Sequence, residues 1–157
     1  MDKPFQRKGA KSNTQVGNDF EVKAQQFFEQ QGLHLTPKFD VDIGINSHKP
    51  HKFDFGNSEQ RVLVECKAHT WTEGTNVPSA KITTWDQAMF YFYVAPIGYR
   101  KILFVQKDFN QKRVETLGEY YVRTNYHLIP EDVEIWEYDE TNNSARVLRY
   151  TSSHSSS

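Results

Sequence analysis

Apolar positions along the chain follow two spacings in turn. Over residues 18–31 they recur at Phe20, Ala24, Phe27 and Phe28, the single stripe of a 3.6-residue helix. Asn18 or Asp19 is placed to cap that helix, and Gly32 to end it. The spacing then shortens to two. Residues 39–45 alternate as a strand, 47–50 turn, 52–55 form a second strand, and 56–60 turn as a hairpin into a third at 61–67. The third strand carries the triplet Val62, Leu63 and Val64, the composition of a strand covered on both faces. A polar loop over 70–76 leads to a helix that starts at Pro78 and stops near Val94, before Pro96. Residues 100–106 (RKILFVQ) read as a further strand, 116–125 as a short helix, and 133–138 and 145–150 as edge strands. The order predicts a single α/β domain with a mixed central sheet flanked by helices.

Composition narrows the class. A chain of 157 residues suits one domain, and its 14% aromatic content supplies a core despite a modest apolar fraction of 37%. Residues 1–16 form a basic arm expected to be flexible, residues 17–150 the domain, and 151–157 (TSSHSSS) a disordered tail. No internal repeat is present. The longest apolar run, residues 88–98, is too short to span a bilayer and contains Pro96, so no membrane role is expected. The arm has no apolar stretch behind its basic residues, unlike a secretory signal, and a single cysteine fits a reducing cytoplasm. With a net charge of -1, nucleic-acid binding has to come from a local site and not from the charge of the whole chain.

One stretch resists a purely structural explanation. In RVLVECKAHTW, Glu65 and Lys67 fall two apart on a strand that reads as central, so they share a face. Burying both charges is costly unless they pair or hold a metal. On the preceding strand Asp54 lies between Phe53 and Phe55, facing away from both. Bringing Asp54 opposite Glu65 in one hairpin requires a bulge or strands of unequal length. Glu21 flanks the apolar stripe of the first helix, two turns before Phe28. Three acids and one lysine are therefore candidates to converge.

Asp54, ten intervening residues, then Glu65-Cys66-Lys67 resembles the signature of the metal-dependent PD-(D/E)XK nuclease superfamily. Gly17-Asn-Asp-Phe-Glu21 is similar to its first-helix glutamate, and Gln87-Ala-Met-Phe-Tyr91 to the Gln-x-x-x-Tyr element of its RecB-like branch. The resemblance covers residues 17–106, in the superfamily's order of helix, three strands, helix and strand. Phe53 stands where the superfamily name has proline. The resemblance implies a restriction-endonuclease-like fold and a divalent-metal-dependent nuclease acting on phosphodiester bonds, with DNA the expected substrate. Asp54 and Glu65 would hold Mg2+ or Mn2+ together with the backbone carbonyl of Cys66, as suits a hard cation that takes oxygen ligands. Lys67 would hold or help deprotonate the attacking water. Glu21 would bind a second cation or orient water, and Gln87 and Tyr91, one helical turn apart, would position water or phosphate. Lys3, Arg7, Lys8 and Lys11 of the arm would contact phosphates, and a homodimer or a larger protein partner would add surface that so small a domain lacks.

Each residue also has a plainer explanation. Asp54 caps a turn, Glu65 and Lys67 make an ion pair, Glu21 answers a helix dipole, and Gln87 and Tyr91 are interior polar residues. His48 and His51 near a turn are read as solvated rather than as zinc ligands, and Cys66 as packed rather than nucleophilic. His69 and the loop after it lie where substrate would pass. The alternative function is a non-catalytic nucleic-acid-binding or assembly module that keeps the fold, which would bind nucleic acid without cutting it.

Overall fold

Side chains alternate across each central strand, and the two apolar sets they create are covered by different helices. The computed structural model describes residues 12–74 and 76–151. Six strands form one mixed sheet in the order β1 (Thr36–Ile43), β2 (Lys49–Asn57), β3 (Val62–Lys67), β4 (Arg100–Gln106), β7 (Val133–Asp139) and β8 (Ser144–Leu148). The β3, β4 and β7 strands run parallel, and the remaining neighbours are antiparallel. Helix α1 (Asn13–Gln30) packs Phe20, Ala24, Phe27 and Phe28 on one face, against Val62, Val64, Ile102 and Phe104. Helices α2 (Ser79–Tyr93) and α3 (Leu117–Asn125) cover the other face, where Leu63, Leu103, Val105 and Ile135 meet Trp85, Met89, Phe92 and Tyr121. Among the described residues the protein is a mixed α/β domain with three α-helices, as the alternation of patterns predicts.

Helix α1 begins five residues earlier than Asn18, because the Ser12 hydroxyl accepts from the Gln15 N–H at 3.1 Å and caps it. Residues 13–16, assigned to the arm from sequence, thus belong to the helix; Lys3, Arg7, Lys8 and Lys11 lie outside the described residues. The hairpin turn also falls later than expected. Asn57 Oδ1 accepts from the backbone N–H groups of Glu59 and Gln60, both at 2.8 Å, and Arg61 takes a φ of +53°, so β2 runs through Gly56 to Asn57. Gly56 is required within the strand: a Cβ there would lie 2.3 Å from the ring of Phe39.

The strand at 133–139 is interior, not an edge as its sequence suggests. Its Glu137 is buried, but Arg146 of β8 donates to it at 2.9 Å and the Thr116 hydroxyl donates as well, so the strand is paired on both sides. A two-residue ribbon, β5 (Phe109–Asn110) with β6 (Glu115–Thr116), connects β4 to α3 and has no sequence counterpart. It ties down the polar loop after β3. Asn110 Nδ2 donates to the Gly74 carbonyl at 2.9 Å, and Trp71 donates its backbone N–H to Asp108 Oδ2 at 2.8 Å and its indole N–H to the Asp108 carbonyl at 2.9 Å.

Candidate active site

The sheet forks at the acidic residues. The β2–β3 ladder pairs Asn57 with Val62 and ends with Phe55 opposite Val64, one step before Asp54 would face Glu65. Beyond that step β2 continues only with β1, and β3 only with β4. No extra residue is needed to bring the acids together, since the strands differ in length. The structure corrects one expectation here. Phe53 and Phe55 do not share a face: Phe53 stacks on Phe92 of α2 at 5.3 Å between ring centroids, whereas Phe55 packs in the α1 layer. The strand twists at Asp54, whose cross-strand position on β1 is Lys38 with a φ of +52°.

At the fork, side chains take over the hydrogen bonds that the ladder drops. Asp54 donates its backbone N–H to Glu65 Oε1 at 2.9 Å, and Cys66 donates its N–H to Asp54 Oδ2 at 2.8 Å. Each carboxylate thus accepts from a backbone N–H at or beside the other acid across the hairpin. Glu65 is buried, with 9% of its surface exposed. Burial first, and the charge of Asp54 second, push its carboxyl up to about 8. Burial also raises Asp54, against the Cys66 N–H, Lys67 and His51, all of which favour its charged form. Lys67 follows Glu65 on the same strand face. No hydrogen bond or ion pair joins it to either acid among the described residues, so a simple Glu65–Lys67 ion pair is not what the structure contains.

The neighbours arrive from both layers through the fork. Glu21 of α1 is half-buried; burial and then the charge of Asp54 raise its pKa, and Lys38 opposes the rise. The Cys66 thiol is driven well above its ordinary pKa by burial and by Asp54, Glu65 and Glu21, the opposite of what a nucleophilic thiolate needs. Tyr91 of α2 faces the region and packs on His51 with ring centroids 4.0 Å apart and planes tilted by 32°. Gln87, one turn earlier, is exposed and makes no hydrogen bond to the described residues.

The structure corrects the reading of His51 as a solvated turn residue: it lies within β2, with its ring enclosed. Its ring lies on Tyr91 and edge-on to Phe53 at 4.8 Å, and Nε2 is a buried side-chain nitrogen with no partner among the described residues. Burial lowers its pKa, while Asp54 and Asp40 oppose that shift. An unpaired buried nitrogen costs roughly 1–3 kcal/mol. His51→Phe keeps the stacking and deletes the nitrogen, so it is expected to stabilise the protein by about 1 kcal/mol. Urea unfolding measures this; a destabilised variant shows that Nε2 is satisfied in solution.

Among the described residues no group of three or more His, Cys, Asp or Glu side chains is arranged as a metal cage. Two carboxylates remain. Both are hard oxygen donors with no cationic side chain in contact among the described residues, Glu65 buried and Asp54 half-buried, and a divalent cation that keeps several of its waters needs no more protein ligands than one or two carboxylates. The donor set therefore fits Mg2+ or Mn2+. Among the described residues no helix is long and apolar enough to cross a membrane. Comparison of the chain with protein-family models, with curated proteins and with solved structures gives no match.

Proposed function

We propose that this protein is a divalent-metal-dependent nuclease with a restriction-endonuclease-like fold, hydrolysing phosphodiester bonds of DNA. The observation that carries the proposal is the fork itself: a buried Glu65 and a half-buried Asp54, each accepting from a backbone N–H at or beside the other acid, with Lys67 on the same strand face and no ion pair to neutralise them among the described residues. In this reading Asp54 and Glu65 hold Mg2+ or Mn2+, joined by the Cys66 carbonyl. The cation supplies charge neutralisation at the phosphate and acidifies bound water. Lys67 carries an ammonium free to hold the attacking water and to stabilise charge developing on the phosphate. Glu21 approaches from the α1 side and orients water. Tyr91 acts by holding His51, and Gln87 meets substrate at the exposed rim.

The test is incubation of the purified protein with plasmid, linear duplex, single-stranded DNA and RNA, with Mg2+, Mn2+ or EDTA. Cutting that requires the cation supports the proposal. Retarded DNA mobility without cutting identifies a binding module, and neither effect overturns both readings.

Two further outcomes are expected. Cys66→Ala retains most of the activity, because only its backbone enters the site and its side chain packs toward α1. Complete loss in a folded Cys66→Ala protein would implicate the thiol. Deleting residues 1–11 leaves the Ser12 cap intact and is expected to weaken duplex binding. The slope of log affinity against log salt should fall by roughly 0.9 for each phosphate that the arm no longer neutralises. An unchanged slope removes Lys3, Arg7, Lys8 and Lys11 from the interface.

A further inference from the structure

His69 lies two residues beyond Lys67, just past the end of β3. Its ring is stacked along Trp85 of α2, 24° between planes, and the Trp85 indole N–H donates to His69 Nδ1 at 2.8 Å. Trp85 is completely buried, and an indole nitrogen can only donate. The nitrogen facing it must therefore accept, which places the imidazole proton on Nε2. Nε2–H is left as a donor with no partner among the described residues, on a ring that is only half-buried. The position is electropositive: burial and the nearby charges of Lys67 and Lys81 drive His69 down to about 4, so the ring is a neutral donor at working pH.

Satisfying Trp85 alone would not call for this arrangement. Any acceptor, a backbone carbonyl or a glutamine, would serve the indole. A histidine held by one nitrogen presents the other in a fixed direction, as the outer partners of ligand histidines do. The group it can meet is an acceptor, and two ammoniums beside it select an anionic one.

We propose that Lys67, His69 and Lys81 form a phosphate-binding site in which the His69 Nε2–H donates to a nonbridging oxygen of the substrate backbone. This rests on the nuclease reading for its substrate, and it adds a contact outside the carboxylate pair. Trp85 is then a positioning residue, acting through His69.

The test uses the full chain with histidine nitrogens labelled, in EDTA so that no cleavage intervenes. Inorganic phosphate and a short mixed-sequence DNA duplex are titrated separately while the Nε2–H resonance of His69 is followed. A saturable shift with both probes is expected, with the duplex acting at lower concentration. A shift with phosphate only identifies an anion site that does not take the DNA backbone and overturns the proposal as stated. His69→Ala should weaken duplex binding roughly tenfold; His69→Asn, which keeps an N–H donor, should recover part of that affinity. Trp85→Phe should weaken binding while mixing the His69 tautomers, a spectroscopic change that a merely structural role would not produce. Lys81→Ala should reduce the salt slope by the equivalent of about one phosphate. If the His69→Ala protein unfolds, the wild-type titration alone decides. Cation-dependent cutting with an unmoved Nε2–H resonance overturns the phosphate contact and leaves the nuclease reading standing. A moved resonance in a protein that never cuts upholds the contact and overturns hydrolysis.

Discussion

Glu65→Gln is expected to reduce cation-dependent cleavage at least roughly a hundredfold and, at the same time, to raise the unfolding temperature of the metal-free protein. The two effects have one cause. Glu65 is buried beside Asp54, and its ionised form is held back by burial and by that neighbouring charge. An amide has the same shape and keeps a carbonyl oxygen to accept the Asp54 N–H, but it carries no charge for a cation to hold. At neutral pH the unfolded chain gains free energy by ionising Glu65, and the folded chain does not. Removing the titration should stabilise the fold by on the order of 1–3 kcal/mol, less whatever the new amide hydrogens fail to pair. Asp54→Ala should also abolish cutting. Lys67→Ala separates the roles further: both carboxylates survive, so stabilisation of the fold by Mg2+ persists while cutting is abolished. Steady-state cleavage of a labelled duplex, read beside thermal melts with and without Mg2+, measures all three. If Lys67→Ala cuts as well as the wild type, the lysine has no role in the chemistry. If Glu65→Gln melts lower and cuts normally, the acid pair is structural.

Several parts of this arrangement were legible in the amino-acid order, and the reasons for the rest are physical. RKILFVQ marked the bounds of β4 because both faces of that strand are buried and its ends are charged or polar. The bounds of α2 were clear from the prolines at 78 and 96 that flank it. The start of α1 was hidden because Ser12 caps a first turn of polar residues, and no apolar periodicity marks it. The interior position of β7 was hidden by Glu137, which looks solvated until Arg146 and Thr116 are brought to it from distant segments. At the site, the spacing of Asp54 and Glu65 was enough to expect them as neighbours across the hairpin, and the fold brings them together. The sequence left the fork open between a bulge and strands of unequal length; the point where the β2–β3 ladder stops, at Phe55 opposite Val64, is set by the fold. His51 was read as solvated because its surroundings come from Tyr91 and Phe53, and only the fold shows that its nitrogen is enclosed. His69 was placed correctly beyond the strand, but its fixed tautomer required the contact with Trp85.

The metal-free protein is expected to lose stability as pH rises from about 6.5 to about 8, and Mg2+ should abolish that loss. The sign follows from the shifts. Glu65 is raised from 4.5 to about 8, so its contribution is fully present below 4.5 and is lost as pH rises toward 8. The raised carboxyls of Asp54 and Glu21 act in the same direction. His69 is lowered from 6.5 to about 4, so its contribution is present above 6.5 and lost as pH falls toward 4. His51 is lowered as well and acts with it. Between 4.5 and 6.5 the acid and imidazole effects oppose one another; above 6.5 the imidazole effect of His69 is complete and the decline due to the raised carboxyls, Glu65 above all, remains. Its slope is at most about 1.4 kcal/mol per pH unit for one group. A divalent cation takes the ionised form of the pair, so binding releases a proton and strengthens with pH across the same window. Urea unfolding at closely spaced pH values, in EDTA and in saturating Mg2+, reads the difference directly. A flat EDTA profile above 6.5 would show that Glu65 titrates normally in the folded protein. A profile that Glu65→Gln leaves unchanged would assign the decline to another group. Equal decline in both media would mean that the carboxylate pair holds no cation at all.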